Sequence, residues 1–126
     1  MRTWLIVLTL FCPLLLPAPA AAQIQQLVVR GLLCDTQEQL ERLVSLPGAL
    51  RDAIQTVNTE VNKKGACGFA TAILEREQDV GMAVSPDNTV FRIVRVVLIV
   101  DLTRGYPRPI ERTTLYLLEL TAQRAT

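Results

Sequence analysis

Residues 24–34, IQQLVVRGLLC, are mostly apolar or β-branched and predict a first strand. From residue 35 the period of the apolar positions changes to three or four, which predicts a helical stretch as far as residue 64. Two pairs with capping-box spacing stand at its start, Thr36 with Gln39 and Asp35 with Glu38. The apolar positions of this stretch are Leu40, Leu43, Val44, Leu50, Ile54, Val57 and Val61.

Pro47 and Gly48 interrupt the helical stretch. Proline lacks an N–H and disfavours helical geometry at the residue before it, and it is well suited to the first position of a new helix. We therefore expect two helices, with Pro47 opening the second. Lys63 and Lys64 followed by Gly65 are typical of a helix C-terminus.

Three further strands are predicted at residues 68–77, 90–102 and 112–120, with a turn at 85–89 and a loop at 103–109. The predicted order is β-α-α-β-β-β. The fold class that fits it is α+β, with a helical hairpin packed on an antiparallel sheet of three to four strands.

The later strands are apolar in both of their side-chain rows. Residues 90–102 alternate Val94, Val96 and Leu98 with Ile93, Val97 and Ile99, whereas a sheet with one solvated face shows polar alternation. A helical hairpin covers only one face of a sheet. We therefore expect the second face to be buried by a second copy or by a protein partner; curling of the sheet, or the segment near Ile24 folding over it, is the competing explanation.

Residues 1–22 have the pattern of a signal peptide, with Arg2, an apolar run from residue 4 to 17, and Ala20-Ala21-Ala22 before the expected cleavage site. Residues 23–126 then form one domain that is secreted or periplasmic, without a membrane span after cleavage. Of 13 basic and 12 acidic residues, removal of Arg2 leaves 12 of each, with no basic stripe, so we expect no nucleic-acid partner.

The chain contains no histidine, which excludes Cys-His and Ser-His catalysis and mixed Cys/His zinc sites within it. No metal and no cofactor are expected. Removal of Cys12 with the leader leaves Cys34 and Cys67, which favours one structural disulfide in an oxidising compartment. The alternative is a thiol-disulfide redox protein that uses the same two cysteines, with Cys34 activated at a helix N-terminus.

The predicted disulfide restricts the helices. One straight helix of about 30 residues would be about 45 Å long, whereas a disulfide needs Cα atoms within about 7 Å. Pro47-Gly48 must then be a true turn, so that the two cysteines meet at the open end of a helical hairpin.

Two arginines on the central strand, Arg92 and Arg95, need an anionic partner or contact with water. A carboxylate on a neighbouring strand is the expected partner, and an external carboxylate or phosphate is the alternative. Arg104, Tyr106 and Arg108 give the 103–109 loop the composition of a recognition surface, which is also ordinary for a hairpin loop. Six carboxylates are expected to lie on the solvated surface, and the alternative is that they serve a carboxylate-based hydrolase. They are Glu38, Glu41, Glu75, Glu77, Asp79 and Asp101.

The stretches CDTQEQ, residues 34–39, and ACGFA, residues 66–70, together resemble a set of small exported bacterial proteins without assigned function. TVN, residues 56–58, and FRIVRVV, residues 91–97, match further parts of that pattern. The resemblance implies paired cysteines and an envelope location, and it brings no catalytic residues. The sequence therefore predicts a non-enzymatic binding or assembly module.

Overall fold

A computed structural model describes residues 26–124; the predicted signal peptide lies outside the described residues. The elements are β1 (Gln26–Cys34), α1 (Gln37–Ser45), α2 (Leu50–Glu60), β2 (Cys67–Val84), β3 (Thr89–Asp101) and β4 (Arg108–Arg124). Two helices pack on an antiparallel four-stranded sheet, which confirms the predicted fold class and element order.

The start of α1 is fixed by a capping box. The Thr36 hydroxyl oxygen accepts from the Gln39 backbone N–H at 3.2 Å, and the Gln39 side-chain oxygen accepts from the Thr36 N–H at 3.1 Å. Of the two pairs with the right spacing, the Thr36 pair is therefore the one used. Leu40, Leu43 and Val44 form the buried face of the helix.

The helical stretch breaks where proline and glycine predict it. Leu46 is extended, with ψ 136°, as expected for a residue before proline, and Gly48 has φ +92°. The prediction that Pro47 opens the second helix is wrong, because α2 begins at Leu50 after an Ala49 N-cap. Gly48 turns the chain in a left-handed conformation, so helical geometry starts only beyond it.

The open end of the helical hairpin is closed by the Cys34–Cys67 disulfide, as predicted. The two cysteines are opposite each other in the β1–β2 pairing, with Cα atoms 4.1 Å apart. Asn58 of α2 holds the backbone of Cys67 through two hydrogen bonds, donating to its carbonyl at 3.0 Å and accepting from its N–H at 2.8 Å. Lys63 binds Asp35 at 2.5 Å beside this link.

The four strands close on themselves. β1 pairs with β2 along all nine of its residues, β2 with β3, and β3 with β4, while β1 also pairs with β4 over Leu32–Cys34. Gly31 allows this closure, since a Cβ there would lie 3.0 Å from the Leu117 Cδ1. The sheet therefore has an inner and an outer surface.

Closure separates two clusters of apolar side chains. On the outer surface, Leu32, Cys34, Cys67 and Ile93 pack with the helices. The inner cluster consists of Leu33, Leu74, Val94, Val96 and Leu117. Val94 and Val96 are 0% exposed, so the expectation that a second face of the sheet is left for a partner is wrong. Curling of the sheet, the competing explanation, covers that face internally.

Two strands are longer than predicted. β2 continues past Glu77 to Val84, with register shifts at 76/78 and 79/81 relative to β3. β4 begins at Arg108, inside the predicted loop, and runs beyond Leu120 to Arg124. A search for strict alternation of polar and apolar residues misses such a strand, because a register shift changes which face the following side chains occupy.

Loss of the disulfide should destabilise the domain, because the link restricts the unfolded chain across the whole helical hairpin. We expect Cys34→Ser and Cys67→Ser each to lower the free energy of unfolding by about 2–5 kcal/mol in denaturant titrations. The double variant should be no less stable than either single variant. An unchanged unfolding midpoint on reduction would contradict this role.

Gly48→Ala should lower the free energy of unfolding by about 1–2 kcal/mol, since φ +92° is unfavourable for a residue with a Cβ. Gly65→Ala is the matched control, because a Cβ there meets nothing within 4 Å and no positive φ is involved. Its effect should stay within about 0.5 kcal/mol. Equal effects at both positions would show that the turn conformation is not the cause.

Candidate functional site

A cavity of about 280 Å³ opens at the end of the closed sheet that carries the disulfide; we call it the disulfide-end cleft. It is mainly apolar with a polar edge. Its lining residues are Leu33, Cys34, Asp35, Gly65, Ala66, Cys67, Gly68, Phe69, Ala70, Ala72, Leu98, Asp101, Thr103 and Leu115.

Small residues on β2 create the space for this cleft. Gly68, Ala70 and Ala72 alternate along the strand and are opposite Leu33, Gly31 and Val29 of β1. Cross-strand partners share a face, so the three small residues are on the inner surface with Leu33. A Cβ added at Gly68 meets nothing within 4 Å, which shows that this part of the interior is not filled by neighbouring side chains.

Hydrogen bonds hold the polar edge of the cleft in place. The Thr103 N–H donates to the Asp101 carboxylate at 2.9 Å, and the Thr103 hydroxyl oxygen accepts from the Thr71 N–H at 3.3 Å. The Leu102 N–H donates to the Thr71 carbonyl at 2.8 Å. The end of β3 and the start of the following loop are thereby tied to β2 beside the small residues.

The pKa of Asp101 is lowered by hydrogen bonding to Thr103 and by nearby cations. The Thr103 side chain has the largest effect, its backbone N–H adds to it, and the positive charges of Arg108 and Arg104 lower the pKa further. Asp101 is therefore a carboxylate at neutral pH. Asp35, the other acid in the lining, pairs with Lys63.

The structure places two of the predicted loop residues, Arg104 and Arg108, near Asp101 at the edge of this cleft. Arg108 pairs with Asp101 in the β3–β4 register, and Arg104 is close enough to act on the Asp101 carboxylate. Tyr106 is exposed at the loop between them. None of the three belongs to the lining of the cleft, and a recognition role for Arg104, Tyr106 and Arg108 stays a prediction.

Arg92 and Arg95 are away from the disulfide-end cleft and bind carboxylates of the chain. Arg95 contacts Glu77 at 2.6 Å, the kind of neighbouring-strand partner that the sequence suggests, and Arg92 contacts Asp79 at 3.3 Å. Alternation puts Arg92 in the inner row with Val94, and Arg95 in the outer row with Ile93. Binding of an external anion by either arginine stays a prediction.

Ion pairs cover the inner surface at the end opposite the cleft. Arg76 binds Glu119 at 2.5 Å and Asp79 at 2.9 Å, and Arg92 joins them through Asp79. Each of three of these charged residues is two positions along its strand from a member of the inner cluster: Arg76 from Leu74, Arg92 from Val94 and Glu119 from Leu117. One end of the interior is thus polar and cross-linked by charge, whereas the disulfide end is apolar and open.

The candidate carboxylates do not converge on one another. Glu75 binds Arg112, Glu77 binds Arg95, and Asp79 binds Arg76 and Arg92. On α1, Glu41 accepts from the Gln37 side chain. Within residues 26–124, no group of three or more histidine, cysteine, aspartate or glutamate side chains is arranged to hold a metal ion.

A second cavity of about 270 Å³ lies beneath the bend of the helical hairpin. Leu46, Pro47 and Leu50 line one side of it, and the β2–β3 turn and Phe91 line the other. Its walls are the interhelical linker with the adjoining helix ends and the β2–β3 turn with the first residues of β3. The disulfide-end cleft is the better candidate site, because strand pairing and a covalent link fix its walls.

Sequence reasoning missed the residues that shape this cleft. The signal for them was present in GFATA, residues 68–72, where every second residue is small. Whether these small residues line a cavity depends on the register with β1 and on closure of the sheet by β4, which puts Leu98 and Leu115 over the same space.

Comparison of the chain with protein-family models, with curated proteins and with solved structures gives no match. The resemblance to small exported proteins therefore stays a prediction. Neither helix of the described chain is long and apolar enough to cross a membrane.

The lowered pKa of Asp101 should appear in an NMR titration of its carboxyl group, with a midpoint below the ordinary value of about 3.9. Because the pKa is lower in the folded state, the carboxylate stabilises the fold above its unfolded-state pKa. That contribution is lost as the pH falls through the folded-state value.

Thr103→Val should raise the midpoint of Asp101 towards its ordinary value by removing the hydroxyl. Thr113→Val is the control, since the Thr113 hydroxyl donates to the Glu111 carbonyl instead. An Asp101 midpoint that is unchanged in Thr103→Val would show that the Thr103 side chain is not the main cause.

Proposed function

We propose that this chain is an exported, non-enzymatic binding module whose ligand site is the disulfide-end cleft. The observation that carries the proposal is the shape of the inner surface at that end. Gly68, Ala70 and Ala72 leave a space that is walled by Leu33, Leu98 and Leu115, with Asp101 and Thr103 at its edge. Ligand sites are typically concave and apolar, with a few well-placed polar groups.

Export is supported by two independent features. Residues 1–22 have the composition of a cleaved leader. The Cys34–Cys67 disulfide is of the kind that persists in an oxidising compartment, such as the periplasm or the extracellular space.

The size of the cleft favours a small ligand. A volume of about 280 Å³ is just below the range of about 300–1,000 Å³ that is usual for sites of drug-sized ligands. The acids Asp35 and Asp101 belong to the lining, whereas their cationic neighbours Lys63, Arg104 and Arg108 do not. We therefore expect a ligand with an apolar body and a cationic or hydrogen-bond-donating end.

The thiol-disulfide redox alternative has weaker support. Cys34 is 1% exposed and Cys67 is 2% exposed, and both pack against the helices in the outer cluster. Thiol-disulfide exchange needs access of an attacking thiolate to one of the two sulfur atoms. Titration of free thiols in the purified, unreduced protein separates the two functions, because a redox protein isolated in its reduced form yields two thiols.

An NMR titration with two probes of the same chain length, hexylammonium and hexanoate, tests the proposed site. Both should shift the amide signals of Gly68, Ala70, Ala72 and Thr103. Hexylammonium should bind more tightly, because the acids line the cleft. No shifts at these residues with either probe would contradict the proposal.

Ala70→Leu should weaken hexylammonium binding at least tenfold, since the larger side chain fills the cleft. Thr71→Leu is a matched control: the neighbouring residue on the same strand has its side chain in the opposite row. Equal binding by the two variants would place the ligand elsewhere. Thermal unfolding of each variant confirms that the comparison is made on folded protein.

A further inference from the structure

The edges of strands in this sheet differ in how they are protected. Unpaired strand edges are templates for pairing with other chains, and proteins protect them with charges, proline, register shifts or a covering element. Beyond the part paired with β1, the edge of β2 is covered by α1. There the Gln37 side chain donates to the Val80 carbonyl at 3.3 Å, close to the register shift at 79/81.

The edge of β4 that faces away from β3 is protected by composition. Before its pairing with β1 at Tyr116, this strand contains Pro109, Glu111 and Arg112. Proline removes a backbone donor, and charged side chains disfavour association with another apolar strand.

The first part of β1 has no such protection. β1 pairs with β4 only over Leu32–Cys34, so between Gln26 and Gly31 its edge towards β4 has no strand partner among the described residues. This segment reads Gln-Leu-Val-Val-Arg-Gly, and Val28 at its centre is 70% exposed. β1 and β4 thus diverge on the N-terminal side of Leu32 and leave a gap with an apolar, unpaired strand on one side.

We propose that the free edge of β1 pairs in antiparallel fashion with the β1 edge of a second copy of this chain, about a two-fold axis at Val28. Each Val28 is then opposite the other, Leu27 is opposite Val29, and Gln26 is opposite Arg30. The interface is self-complementary, as a two-fold dimer requires.

This pairing keeps the inner surfaces of the two copies on one side of the joined sheet and the outer surfaces on the other. Cross-strand partners share a face, so the inner residues Leu27 and Val29 meet inner residues, and the outer residues Gln26, Val28 and Arg30 meet outer residues. Arg30 is the one charged side chain of the segment, and it is opposite the neutral Gln26. No like charges oppose each other, in contrast to the charged edge of β4.

Leu120 supplies a second surface for the incoming strand. It is 70% exposed and is in the outer row of β4, two residues beyond the Leu118 that pairs with Leu32. Val28 is in the outer row of β1, four residues before Leu32. A strand in the gap therefore has exposed apolar side chains on both sides of its outer face, and their burial favours association.

The short paired segment predicts a modest affinity. Five paired residues on each side bury less area than the standard interface of about 1,600 Å². We expect a dimer that dissociates on dilution in the micromolar range, about 1–100 µM.

Sedimentation velocity of the protein in its exported form, from about 5 to about 500 µM, tests the pairing. The average mass should rise with concentration towards that of a dimer. Val28→Lys should raise the dimer dissociation constant at least tenfold, by placing two cations opposite each other. Val61→Lys is the control, because Val61 is an exposed valine at the C-terminus of α2. A monomer throughout, or a dimer that Val28→Lys leaves unchanged, overturns the proposal.

Cross-linking tests the register independently. Val28→Cys, with the Cys34–Cys67 disulfide intact, should form a dimer linked through residue 28 on mild oxidation, at least tenfold faster than Val61→Cys. Mass spectrometry of the digested dimer identifies the linked peptides. Equal rates for the two variants overturn the two-fold pairing at Val28, even where sedimentation shows a dimer.

Discussion

The covalent link between Cys34 and Cys67 is the constraint on which the rest of this structure depends. It joins the end of β1 to the start of β2, and everything between the two cysteines must return to its starting point. The helical stretch can do so only as a hairpin, which explains the left-handed glycine in its middle. The same link fixes the β1–β2 register, and that register decides which residues of β2 face inward.

Closure of the sheet is the second determinant. A flat sheet with these sequences would expose one of two apolar rows, and pairing of β1 with β4 buries that row without a third layer. The pairing is short, and the packing is close at Gly31, where a Cβ would lie 3.0 Å from the Leu117 Cδ1 and that side chain would have to shift. The inner cluster is then polar and ion-paired at one end and open at the other. The asymmetry of the candidate site follows from this arrangement.

The sequence predicts the local features of this protein well, because short-range chemistry decides them. A capping box at residue 35 or 36, the break at Pro47-Gly48 and the pairing of the two cysteines all follow from residue types and spacing, and the structure shows that Thr36 is the cap. Closure did not follow, because it depends on contacts between residues far apart in the chain, such as Leu33 and Leu117. The apolar rows of β3 therefore suggested a surface for a partner, although the protein itself covers them.

The candidate site could be predicted only in part for the same reason. Composition singled out Arg104, Tyr106 and Arg108, and two of them, Arg104 and Arg108, are near Asp101 at the edge of the cleft. The small residues of the cleft have no reactive or polar side chain: they are Gly68, Ala70 and Ala72. They can be recognised as the lining of a cavity only when β3 and β4 enclose the space in front of them. The ion pairs of Arg76 with Glu119 and Asp79 were equally hidden, because register shifts in β2 change how its later residues align with β3.

The β1–β4 pairing also sets the order in which the molecule can be completed. A chain is made from its N-terminus, so β1, the helical hairpin and the start of β2 exist while β4 has yet to be synthesised. These segments are contiguous and already contain both cysteines, so they need only short loop closures to assemble. The inner row of β1 and β2 stays uncovered until the last strand arrives. The β1–β4 pairing is the contact between the strands farthest apart in the chain, and a nascent chain that stops before Leu117 has an apolar surface that nothing within it can cover.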